Sequence, residues 1–156
     1  MNYSLIFIIL SFIVALLLTA LPLPAPAYFF MPDWVAAVLL YWILTCPHIV
    51  RFAAVFLMGI FTDILMGAPL GLHSFAYLCG LFPAIRWRNE FLDQNEWIQA
   101  FLVFGMLMTA RLAMVAAWLV VSHTFIGLWF FLPSVITALL WLLLYRLIDP
   151  TQRAEI

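Results

Sequence analysis

Two ionisable residues stand inside otherwise apolar runs, Asp63 and Arg111. A charge in such surroundings is costly, so it faces protein or a water-filled cavity and not hydrocarbon. Asp63 lies in the stretch Phe56-Leu57-Met58-Gly59-Ile60-Phe61-Thr62-Asp63-Ile64-Leu65-Met66-Gly67, where Gly59, Asp63 and Gly67 recur every four residues. On a helix they share one face, and small residues there let a neighbouring helix come close. The acid then has two readings: part of a packing seam, satisfied by neighbouring hydroxyl or backbone groups, or a direct participant in partner binding or transport. Gly105, Thr109, Ala113 and Ala117 form a second stripe of period four, which predicts a second packing seam. Arg111 falls roughly opposite that stripe, beside Leu107, Met108, Val115 and Trp118, and must face something else. Counted at 1.5 Å per residue, Asp63 lies ~18 Å beyond Arg51 and Arg111 ~21 Å beyond Trp97. The matched depths suggest that Asp63 and Arg111 neutralise each other, directly or through water. The rival is that each meets a different polar contact, with Arg111 facing a partner helix or snorkelling outward.

Other chemistry is sparse. His48, His73 and His123 are scattered and lack the ligand spacing of a zinc site, such as His-Glu-x-x-His on one helix. A composite of Asp63, His73 and His123 requires three apolar segments to converge. Cys46 and Cys79 have no metal-ligand spacing and read as two buried thiols. There is no Gly-x-Ser-x-Gly elbow, no phosphate-binding glycine loop and no nucleophile beside a base. The inventory points to no catalytic residue, no cofactor and no metal, and to binding or assembly over catalysis.

The elements that position these residues follow from composition. The chain has 156 residues, 69% hydrophobic and 8% charged, with a mean hydropathy of +1.20. A soluble domain is usually about one quarter charged. Lipid is the solvent that fits, which excludes a cytoplasmic enzyme and a secreted disulfide scaffold. A net charge of -1 without a basic patch excludes a nucleic-acid partner. A spanning helix takes about 20 residues. Apolar segments at 4–21, 33–45, 50–66, 70–85, 97–121 and 126–148 therefore predict an all-α integral membrane protein, a six-helix bundle forming the single domain 1–156. The second segment, bracketed by Pro32 and Pro47, is short, and five spans is the alternative. Continuous apolar runs exclude a β-barrel, whose strands alternate.

Arginines set orientation. Arg51, Arg86, Arg88, Arg146 and Arg153 all fall on one side of the six-span arrangement, while the loops at 22–32, 67–69 and 122–125 carry no basic residue. Both termini are then cytoplasmic; a five-span chain would separate Arg51 from Arg86 and Arg88. Ala25-Pro26-Ala27 resembles a cleavage site, but without a basic segment ahead of it the first span is expected to be retained. The proline-rich stretch 21–26 predicts an extended strap, either a turn at the interface or a docking edge on the outer side. In the fourth loop, Trp87 and Trp97 suit the interfacial belt, and Phe91 and Leu92 suit a short interfacial helix or a contact for a cytoplasmic protein.

Pro32-Asp33-Trp34, Leu40-Tyr41-Trp42, Pro47-His48-Ile49-Val50, Phe56-Leu57-Met58-Gly59, Asp63, Gly67 and Leu70-Gly71 together resemble the signature of the rod-shape-determining MreD family, densely from Met31 to Leu72. The resemblance implies a non-enzymatic protein of the bacterial inner membrane, part of the elongation machinery that directs side-wall peptidoglycan synthesis. It implies MreC as a partner, a protein with one span and a periplasmic domain. Directly or through MreC it also implies the elongation transpeptidase, the RodA glycosyltransferase and the filament protein MreB. The family fold looks similar to the six-helix substrate-binding components of energy-coupling-factor vitamin transporters, a likeness that does not transfer function. Gly59, Asp63, Gly67 and Gly71 carry over as signature positions without a chemical role, and Arg111 matches no family motif. The competing function is a small transport component that binds a lipid or a vitamin-like ligand between its helices.

Overall fold

The computed structural model describes residues 5–22, 24, 30–122 and 127–144, and among these the chain is helical with no strand. The helices are α1 (Leu5–Thr19), α2 (Trp34–Thr45), α3 (Phe52–Met66), α4 (Leu72–Arg86), α5 (Arg88–Leu92), α6 (Glu96–Ser122) and α7 (Leu132–Leu144), the last entered through a 3-10 turn at Leu128–Phe131. Each of the six expected apolar segments contains one long helix. The short α5 occupies the fourth loop. Half of the strap at 21–26, together with His123, Arg146 and Arg153, lies outside the described residues.

Large apolar side chains point outward from several helices, among them Ile6 and Phe7 of α1, Phe56 and Ile64 of α3, and Phe101 and Leu112 of α6. Such a surface suits acyl chains. Among the described residues one helix, Glu96–Val120 within α6, is long and apolar enough to cross a bilayer unaided, while Leu5–Thr19, Trp34–Thr45 and Phe52–Met66 are apolar but shorter.

The weakest segment of the sequence reading becomes the core of the bundle. α2 is apolar all round, and Val35, Ala36, Leu39, Leu40 and Ile43 are fully buried. A helix of that composition needs protein on every side. At 12 residues it is ~18 Å long, so its neighbours and not its own length shield it from solvent. The Trp42 indole donates to the Ser11 hydroxyl at 2.7 Å and ties α1 to it.

α4 packs against both α3 and α6 and stands between them. Its small buried residues Ser74, Ala76, Gly80 and Ala84 permit this. Gly59 of α3 lies so close to Ser74 that an added Cβ would sit 2.3 Å from the Ser74 Cα. Gly80 meets α6 in the same way, with the Ala110 Cβ and the Met106 carbonyl oxygen both 2.6 Å from an added Cβ. The Gly105 stripe is not the seam of α6: Gly105 and Thr109 are exposed, and nothing lies within 4 Å of an added Cβ at Gly105. The α4 contact instead uses the adjacent face, where Met106, Ala110 and Met114 are buried.

At one end of the bundle the Arg88 guanidinium Nε donates to the Leu44 carbonyl oxygen at 2.6 Å, placing a cation at the C-terminus of α2. Phe91 and Leu92 are buried, with Phe91 edge-on to Trp141, so α5 turns its apolar face into the core and offers it neither to the interface nor to a cytoplasmic partner. Trp87 and Trp97 on either side of it are exposed. Buried Gln99 donates to the Leu92 and Gln94 carbonyls and accepts from the Trp141 indole, locking α5, α6 and α7 together.

Candidate functional site

A second set of ionisable residues gathers at the other end of the bundle. Asp33 is the N-cap of α2, and its Oδ1 accepts from the Ala36 N–H at 3.2 Å. An acid just ahead of an apolar run is the ordinary residue for that position. Here it does more. Oδ1 also accepts from the Tyr77 hydroxyl of α4 at 2.9 Å, Oδ2 accepts from the Arg111 Nη2 of α6 at 3.4 Å, and the Asp33 N–H donates to the Thr137 hydroxyl of α7 at 2.8 Å. One residue joins four helices.

Asp63 is fully buried near the end of α3. Its Oδ2 accepts from the Gly71 N–H at 2.7 Å, and its Oδ1 accepts from the His73 N–H at 3.0 Å and meets the His73 Nδ1 at 2.6 Å. Gly71 and His73 open α4, so the carboxylate of α3 caps the next helix, where backbone N–H groups and the helix dipole favour negative charge. The turn between them needs glycine twice. Gly67 ends α3 at φ +61°, with its N–H on the Ile64 carbonyl and the Ala68 N–H on the Asp63 carbonyl, a Schellman closure. Gly71 has φ +94°. Nothing lies within 4 Å of an added Cβ at either. Of the three residues in the expected seam, Gly59 meets α4 through its missing side chain and Asp63 through its carboxylate. Gly67 stands beyond the helix end and serves the backbone.

The direct pairing of Asp63 with Arg111 gives way to two separate pairs, Asp63 with His73 and Arg111 with Asp33. The reason is the position of α4 between α3 and α6: it presents His73 to one side and leaves Arg111 to reach α2. Arg111 also lies over the Phe130 ring, with Cζ 4.6 Å from the centroid. Both pairs border one cavity of about 320 Å³, which His73, Tyr77, Asp33 and Arg111 line together with Trp118 and Phe130. His48 is exposed at the opposite end beside Arg51, so the histidines do not converge. Among the described residues no group of three His, Cys, Asp or Glu could hold a metal ion. Cys46 is buried as expected, but Cys79 is exposed on α4.

The sequence reading counted two buried charges and missed Asp33, because it sits at the edge of a segment and not inside one. Its signal was the N-cap position ahead of Trp34. Gly80 was missed although Ala76, Gly80 and Ala84 recur every four residues in α4, a stripe of the same kind as those read in α3 and α6.

The family model described as rod shape-determining protein MreD matches residues 1–150. The chain belongs to the MreD family. A rod shape-determining protein MreD of Haemophilus influenzae is 33% identical over 109 residues, covering 68% of this chain and 66% of that protein. The MreD family comprises bacterial inner-membrane proteins that act as structural, shape-determining components. No solved structure matches the chain.

Proposed function

We propose that this chain is a non-enzymatic component of the bacterial cell-elongation machinery, maintaining rod shape from within the inner membrane. It assembles with MreC and, directly or through MreC, with the elongation transpeptidase, the RodA glycosyltransferase and MreB. The observation that carries this reading is the match of the MreD family model to residues 1–150.

The structure supports it in two ways. Arg51 and Arg88 stand at the end of the bundle opposite Asp33 and Asp63, and basic residues favour the cytoplasmic side. In a six-span arrangement with both termini cytoplasmic, the Asp33 end and its cavity open to the periplasm. The uncovered Gly105 and Thr109 of α6 offer a shallow face to a neighbouring span, since close approach in lipid favours small residues.

Depletion in a rod-shaped host should give rounded cells, and MreC should copurify with the chain from mild detergent. Gly105→Leu should lower the MreC yield while leaving expression and melting unchanged. Normal rods after complete loss, under conditions that require the elongation machinery, overturn the reading.

A further inference from the structure

The cavity at the Asp33 end carries an imbalance that the helix packing does not resolve. Its carboxylates are in use. Asp63 is sealed from the surface behind three donor contacts, and Asp33 accepts from Ala36, Tyr77 and Arg111. The Thr62 hydroxyl, also on the wall, donates to the Met58 carbonyl at 2.8 Å. Donors are in surplus. A guanidinium has five N–H groups; among the described residues Arg111 directs one to a side chain, Asp33, at 3.4 Å. That contact is long and single, whereas an Arg–carboxylate pair at its best is bidentate at about 2.8 Å. The guanidinium carbon lies over the Phe130 ring, 4.6 Å from its centroid.

The other walls are apolar: Met66, Leu72, Met114, Trp118 and Trp129. At about 320 Å³ the cavity is within the usual size range for small-ligand sites, which pair apolar walls with a few placed polar groups. A planar fork with free donors in apolar surroundings selects a carboxylate or phosphate oxygen pair. Cations are disfavoured, because Arg111 already covers the Phe130 ring and both carboxylates are engaged.

We propose that this cavity is a binding site for an amphipathic molecule with an oxyanion head, bridged by Arg111, and an apolar body against Met114, Trp118 and Trp129. The head can belong to a lipid of the bilayer or to a free carboxylate entering from outside; the chemistry recognised is the same. The site is independent of whether MreC binds this chain.

The test uses the full chain in phosphatidylcholine nanodiscs, with 8-bromooctanoate as the probe and bromine quenching of tryptophan as the signal. The difference between the unaltered chain and Trp118→Phe isolates the Trp118 signal from every other tryptophan. The acid should quench saturably, its methyl ester should not, and Arg111→Gln should weaken the response to the acid at least tenfold. Should Arg111→Gln fail to fold, the double change Met66→Phe and Leu72→Phe fills the cavity without touching its polar groups and should abolish saturation. Displacement of the acid by phosphatidylglycerol added to the discs identifies a lipid source, and retention of the acid against phosphatidylglycerol identifies a free carboxylate; both support the site. Equal quenching by acid and ester, an unchanged response in Arg111→Gln, or no saturable quenching by the acid overturns it.

Discussion

The glycines of α3 and of the turn into α4 share a residue type and a family motif, yet they answer to different physics. At Gly59 even a methyl group meets backbone, so Gly59→Ala should destabilise the fold by about 3 kcal/mol or more. At Gly67 and Gly71 the space is open and only the left-handed conformation resists a side chain, which costs about 1–2 kcal/mol per residue. Melting of the alanine variants in one detergent should rank Gly59 well below the other two. The carboxylates separate in the same manner. Asp63→Ala strips the acceptor from two N–H groups of α4 and should cost roughly 3 kcal/mol, while Asp63→Asn keeps one acceptor oxygen and should cost less. A double-mutant cycle between Asp63 and His73 should show a coupling of at least about 0.5 kcal/mol, and one between Asp63 and Arg111 should be additive within that margin, since the two share no partner. Strong coupling between Asp63 and Arg111 would contradict the separate pairs.

At the scale of helices, the apolar runs marked where each long helix lies, because continuous hydrophobicity and proline breaks are local properties of the chain. What the runs could not show is which face meets which neighbour. The period-four stripe of α6 has the pattern of a seam, but the actual contact is made one face over, where Met106 and Ala110 receive Gly80. That choice depends on α4, thirty residues away in the chain, and no pattern within α6 records it. Gly80→Leu should therefore lower the melting temperature sharply, whereas Gly105→Leu should leave it unchanged. Asp33 shows the same limit for the site: its capping role is local and readable, but its bonds to Tyr77, Arg111 and Thr137 depend on three other helices.

At the scale of the whole molecule, orientation is measurable by labelling single cysteines introduced at residues 2, 95 and 152, expected on the cytoplasmic side, and at residues 27 and 122, expected outside. The exposed Cys79 is replaced by alanine beforehand, and Cys46 will not confuse the result. Burial raises its thiol above the usual range, partly offset by a hydrogen bond from Thr45, and maleimide reacts with the thiolate. In the folded protein at neutral pH, Cys46 should stay unmodified. The bonds that build the Asp33 end of the bundle differ in how far they reach along the chain. Asp63 finds Gly71 and His73 at separations of 8 and 10 residues, and Ser74 finds the Phe56 carbonyl at 18. Asp33 finds Arg111 and Thr137 at 78 and 104. Short loops close at little entropic cost and long ones wait for the rest of the chain. The α3–α4 hairpin can thus set while the ribosome is still making α6, but Asp33 stays without Thr137 until α7 emerges. A nascent or truncated chain ending before residue 128 carries a finished hairpin and an open cavity rim. Such a chain should be cleared by membrane proteases faster than the full-length protein, because the Asp33 N–H lacks its Thr137 acceptor.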